Sequence, residues 1–312
     1  MSRSYSPDEI PIFRDNGPKD VRRVDRSSEP DDQRPELGRG GGEPSQERST
    51  GADQERLTAT RTIEPRKRYD LHHHTFFLRT SEIETTADIG KFRALDAGDL
   101  EAFPYAGDRR HLEADLRNLR RQGLIVEREI PQHEGNPRRL IALTKEGRRL
   151  LATTKAVPQE QALYHGFTKP RQAHHDADLF RLYQRGVEQI RRDGGSNVRV
   201  ILDAELKRNV YREMAKAERE GESDQEQIAV AEKHGLQVID GKIPVPDLRI
   251  EYETADHQLA HLDLELATGH YRARNMAEKA RAGFAIYARA EDASNLRRIL
   301  DQQELTAKIL QL

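Results

Sequence analysis

Two arms of alternating residues carry the carboxylates best spaced for chemistry. They are Pro246-Asp247-Leu-Arg249-Ile-Glu251-Tyr252 and His261-Leu-Asp263-Leu-Glu265-Leu266, joined through the polar tip Thr254-Ala-Asp-His-Gln258. Leu248, Ile250 and Tyr252 alternate with Asp247, Arg249 and Glu251, and Leu262, Leu264 and Leu266 with Asp263 and Glu265, which is the period of half-buried strands. A tip centred near Asp256 predicts an antiparallel hairpin that sets Asp247 opposite Glu265 and Arg249 opposite Asp263. Two facing carboxylates repel unless a cation lies between them. The hairpin thus puts carboxylates where a metal ion could sit. The plainer expectation is a cross-strand salt pair between Arg249 and Asp263, with the other acids lining a solvated face.

The elements that must position this hairpin read as a small α/β unit. An amphipathic helix from His174 to Asp193 buries Leu179, Leu182, Tyr183, Val187 and Ile190 and stops at Gly194-Gly195. A strand Asn197–Asp203 follows, then a charged, mostly helical stretch to about His234, interrupted near Gly221. Beyond the hairpin the pattern predicts a helix Tyr271–Ala282, a strand Phe284–Tyr287 and a last helix from about Ala293.

Upstream, residues 1–65 are rich in Pro, Gly, Ser and charge with almost no apolar period, and read as a disordered tail. Residues 66–157 hold 18 Lys and Arg against 14 Asp and Glu, the one segment with a basic excess, so a nucleic-acid surface is expected there. A helix is predicted from about Ser81 to Leu95 and a short one from Asp99 to Phe103. A strong helix Asp108–Gln122 has Asp108 suited to its N-cap and Gly123 to its C-cap. Leu112, Leu116 and Leu119 face inward and leave Arg110, Glu113, Arg117 and Arg121 outward. Strands Leu124–Ile130 and Arg139–Thr144 and a helix Lys145–Thr153 complete the segment. The chain has no cysteine, no apolar leader core and no stretch long enough to span a bilayer, so a reducing cytoplasm and no membrane partner are expected. No Walker loop, dinucleotide fingerprint or Gly-x-Ser-x-Gly elbow is present, which removes support for ATPase, NAD-enzyme and serine-hydrolase readings. His72-His-His74 cannot all point one way on a strand or helix, and His174 and His175 open a helix, so packing and capping roles are expected for both groups.

The order and lengths around LRNLRRQGLIVERE and RRLIALTKEGRRLL resemble a winged helix-turn-helix. That resemblance implies that the Asp108–Gln122 helix enters the major groove of double-stranded DNA, with Arg109, Arg110, Arg117 and Arg121 near bases or phosphates, while Arg138 and Arg139 in the wing meet the backbone or minor groove. The strings VPDLRIEYE and HLDLELA resemble the PD-(D/E)xK nuclease-like fold. This implies Mg²⁺ on Asp247 and Glu265, Glu205 as a further acid, and a lysine two residues after the second acid. Ala267 stands at that place, so the resemblance implies either that Asp263 joins Asp247 as a metal ligand with Glu265 at the lysine position, or that Lys279 substitutes from the next helix. The whole of residues 70–300 resembles the replication-relaxation family of plasmids and related mobile elements.

The chain is therefore expected to be α+β: a tail over 1–65, a winged helix-turn-helix over 66–157 and a restriction-endonuclease-like sheet domain over 158–312. The expected function is DNA binding in replication, relaxation or mobilisation of a bacterial mobile element, with a nuclease-like domain that is active or degenerate. Its expected partners are a second copy and other replication or mobilisation proteins. The alternative is a winged-helix transcription regulator without catalysis.

Overall fold

In the segment expected to form the winged helix, the polar residues at the helix starts decide where the helices begin. Strand β1 (Lys67–Leu71) turns through His72 and His73 into β2 (His74–Leu78), a hairpin the sequence pattern does not predict. Helix α1 (Thr80–Phe92) is closed at its start by Glu82, whose side chain accepts the Arg79 N–H at 2.8 Å. It ends before the expected Leu95 because Leu95 and Asp96 form strand β3 (Leu95–Asp96). Asp96 then caps α2 (Ala97–Ala102), and Asp108 caps α3 (Arg109–Arg121) by accepting the His111 N–H at 3.0 Å. Strands β4 (Ile125–Ile130) and β5 (Arg138–Leu143) make an antiparallel pair that β3 extends in the order β3-β5-β4. Helix α4 (Lys145–Thr153) is capped by Thr144.

The structure is a computed structural model that describes residues 64–132, 136–220, 224–268, 271–302 and 309–311. The tail expected over 1–65 lies outside the described residues but for its last two. Helix α5 (Pro170–Arg192) is longer than its apolar stripe suggests and leads into β6 (Ser196–Leu202). Two helices follow, α6 (Asp203–Glu220) and α7 (Asp224–Lys233), then the hairpin β7 (Leu248–Glu253) and β8 (Leu259–Ala267). Helix α8 (Ala273–Arg281), strand β9 (Ala285–Ala288), helix α9 (Ala290–Gln302) and strand β10 (Ile309–Gln311) complete the described chain. The larger sheet is mixed, in the order β10-β9-β8-β7-β6, with β6, β7 and β8 antiparallel and β9 and β10 parallel to their inner neighbours. The β7–β8 hairpin pairs as its spacing predicts, with Leu248 opposite Leu264 and Arg249 opposite Asp263. Among the described residues no helix is long and apolar enough to cross a membrane.

The domain boundary expected after residue 157 does not divide two cores. Helix α5 lies flat on the larger sheet; a Cβ added at Gly186 would meet Ile250 Cδ1 at 2.7 Å and Leu264 Cδ1 at 2.9 Å. The opposite side of α5 presents Phe180 and Tyr183 to Phe92 of α1, with ring centroids 5.4 and 5.1 Å apart. One continuous apolar cluster runs from Leu78 and Leu119 through Phe180 to Ile250 and Leu264, and the described residues all belong to one compact unit. The fold is thus a mixed α+β arrangement of small sheets, two of which share one central helix.

Candidate functional site

Asp247 sits at the foot of β7 and Glu265 two residues from the end of β8, locked together by their own backbones. The Asp247 N–H donates to Glu265 Oε2 at 3.1 Å, and the Leu266 N–H donates to Asp247 Oδ2 at 3.0 Å. Glu265 has no solvent exposure, so its charge needs partners within the protein. Lys279 supplies one from α8: its ammonium lies 3.0 Å from Glu265, also donates to the Val245 carbonyl, and rests over the Phe284 ring at 5.4 Å. The geometric condition for Lys279 to stand in for a strand lysine, a side chain directed back over the sheet, is met. Tyr271 donates its hydroxyl to the other oxygen of Glu265, and His175 from α5 places Nε2 3.5 Å from Asp247 Oδ1.

The electrostatics separate the two acids. Burial works to raise the Asp247 pKa, but the hydrogen bond to His175 and its charge, with help from the Leu266 amide and Lys279, bring it below the ordinary carboxyl value. At Glu265 burial and the neighbouring Asp247 charge outweigh Lys279 and Tyr271 and leave the carboxyl raised. Burial opposes the His175 charge, yet the Asp247 hydrogen bond and charge prevail and raise it. A pair of carboxyls pushed in opposite directions is an arrangement found at acid–base and metal sites.

Three expected site residues are placed elsewhere. Asp263 is held by Arg249 at 2.6 and 2.7 Å through two parallel hydrogen bonds, and Arg249 also donates to the carbonyls of His234 and Gly235. Asp263 is thus the salt-pair partner of Arg249 rather than a ligand, because a guanidinium buried in the sheet face needs that carboxylate to offset its desolvation. Glu205, in the first turn of α6, pairs with Arg199 at 3.1 Å and is not joined to Asp247 or Glu265. Burial raises its pKa against the pull of Arg199. Arg138, expected on DNA, is buried: it binds Asp96 at 2.7 Å and Asp178 of α5 at 2.9 Å, since its side chain turns from β5 towards α5 rather than to solvent. Arg139 is also engaged, with Glu113 and Glu127.

The remaining expected DNA residues lie on one exposed helix face. Leu112, Leu116 and Leu119 of α3 are buried, while Arg109, Arg110 and Arg117 are exposed and have no hydrogen-bond or ion-pair partner among the described residues. Arg121 is exposed and reaches only the Asn118 side chain, at 2.9 Å. The three consecutive histidines form the β1–β2 turn and the start of β2, exposed to solvent. His175 and Tyr271 are the contributors to the site that sequence reasoning did not assign to it; both sit near helix starts, where packing is the ordinary role.

Among the described residues no group of three or more His, Asp or Glu side chains is placed to hold a metal ion. The donor chemistry of Asp247 and Glu265 still fits Mg²⁺, which is commonly held by one or two carboxylates while water and substrate phosphate fill the other positions. No protein-family model matches this chain, and the search of curated proteins gives no match.

Proposed function

We propose that this protein binds double-stranded DNA, with α3 in the major groove and the β4–β5 hairpin as a wing. The order α1, β3, α2, α3, β4, β5 and α4 supports reading this segment as a winged helix-turn-helix. The observation that carries the reading is the contrast among arginines. Arg138, Arg139 and Arg249 are each matched to carboxylates, whereas Arg109, Arg110 and Arg117 line one solvent-facing stripe with none among the described residues. Uncompensated guanidinium groups at that spacing suit phosphates and base edges. The resemblance to the replication-relaxation family extends the proposal to a role in replication or mobilisation of a mobile element, alongside other proteins of that process. The expected test result is that Arg110→Ala with Arg117→Ala weakens duplex binding about tenfold or more and lowers the salt slope by about 0.9 for each phosphate no longer neutralised. Unchanged affinity across a salt titration sinks the proposal.

A second reading, a metal-dependent nuclease, is favoured by Lys279 lying against Glu265. On that reading Asp247 and Glu265 hold Mg²⁺, which when bound lowers the pKa of its water and neutralises phosphoryl charge. Lys279 fixes the Glu265 carboxylate and offers an ammonium to the phosphate, and His175 orients Asp247. Supercoiled plasmid incubated with Mg²⁺ or Mn²⁺ should be nicked by the wild type and not by Asp247→Ala. Absence of metal-dependent nicking by the wild type leaves the chain a DNA-binding protein without chemistry.

A further inference from the structure

Helix α6 carries an outward face that neither the core nor the candidate site uses. Leu206, Val210 and Met214 point to the sheet, and on the other side stand Lys207, Arg208, Tyr211 and Arg212. Spacings of three and four residues make Arg208, Tyr211 and Arg212 neighbours on the helix surface. Tyr211 is 57% exposed, one of few large apolar side chains left in solvent among the described residues. Glu213 pairs with Lys233 and His234 of the α7 end, and Glu205 is buried against Arg199 while its charge also acts on Arg208 at longer range. Asp203 pairs with Lys207, which leaves Arg208 with no hydrogen-bond or ion-pair partner among the described residues and Arg212 bonded to the neutral Asn209 side chain. Helix α6 itself begins beside Asp247, because the Asp203 N–H donates to the Asp247 carbonyl at 3.1 Å.

We propose that this face binds single-stranded DNA, with Arg208 and Arg212 on successive phosphates and a base stacked on Tyr211. The proposal rests on the reading of the chain as a DNA-binding protein and adds a second surface, for a different form of DNA, to the α3 face. Its logic is charge complementarity joined to an exposed ring. Guanidinium groups track a backbone, an aromatic ring takes any base, and the two interleaved at helical spacing make a stacking platform. A duplex keeps its bases paired and offers Tyr211 nothing to stack on, so the ring specifies a strand whose bases are free.

Fluorescence anisotropy with a labelled oligothymidylate and, separately, a labelled duplex tests it on the full chain. All the side chains changed are exposed, so folding is not at issue. Tyr211→Ser should weaken oligothymidylate binding about tenfold, while Tyr211→Phe stays within about twofold because the ring remains. Arg208→Ser with Arg212→Ser should lower the salt slope for the single strand by about 1.4, from about 0.7 for each phosphate. Neither change should alter duplex affinity, and Arg110→Ala with Arg117→Ala should alter duplex affinity alone. Wild-type protein that does not bind oligothymidylate, or α6 variants that bind it as wild type does, overturns the proposal. Wild-type protein that fails to bind the duplex, with the single-strand results intact, overturns only the α3 reading.

Discussion

Glu265 has no exposed surface, and a carboxylate so placed stays charged only while a cation holds it. Lys279→Met removes that cation and keeps the aliphatic stem, and breaking a buried pair from one side costs about 3–5 kcal/mol. The sign with pH follows from the direction of the shift. Glu265 is already raised, Lys279 is among the groups that lower it, and without the lysine it rises further. A carboxyl whose folded pKa exceeds its unfolded value loses stability as pH climbs from the unfolded pKa through the folded one. The Lys279→Met deficit should therefore be larger at pH 8 than at pH 5 in chemical denaturation, and equal midpoints for variant and wild type at both would refute the pairing. Of the residues around this site, the pairing of Asp247 with Glu265 was legible in the sequence, because strand alternation and tip length set the register. So was the salt pair of Arg249 with Asp263, whereas the fates of Arg138 and Glu205 were not. Which carboxylate these guanidinium groups meet depends on the approach of a third element: α5 for Arg138 and the start of α6 for Arg199.

At the scale of elements, α4 docks by a close backbone approach. A Cβ added at Gly147 would lie 2.1 Å from the Leu124 carbonyl oxygen, the same carbonyl that accepts the Thr144 N–H at 2.9 Å. Backbone cannot swing aside as a side-chain end can. Gly147→Ala gains up to about 1 kcal/mol of helix propensity and should still destabilise by about 1–3 kcal/mol through overpacking. A thermal midpoint equal to or above that of the wild type would show that α4 is not seated on Leu124. Elements with strong caps and apolar stripes, such as α3 and α4, are read from the sequence nearly to the residue. The β1–β2 hairpin is missed although Leu71, Phe76 and Leu78 are buried, because its turn has no Gly or Asn to mark it. His72 supplies the left-handed residue instead, at φ 51°.

The whole molecule depends on α5, which packs on two sheets at once. Phe180 is completely buried among Phe92, Phe103 and Tyr183, and Phe180→Ala should cost about 3–5 kcal/mol. Because the apolar cluster is continuous across α5, heat should melt the unit in one transition, and the variant should shift all of it together. Two separated transitions in calorimetry would restore the boundary at residue 157. The sequence pattern finds each layer but not their fusion, since an amphipathic stripe reports that a helix has a buried side and not how many neighbours share it. Arg138, Arg181 and Arg289, set on β5, α5 and the segment after β9, converge on Asp99 and Asp178 and add a polar seam beside that core.

Ala267 lies on the same strand face as Glu265, almost fully buried under Met276 of α8. A methyl group there lets α8 settle close to the strand, and that closeness brings Lys279 to the carboxylate. Positions 267 and 279 are therefore linked by volume as well as by charge. A lysine placed at 267 would press against Met276 and the helix that already delivers an ammonium to Glu265.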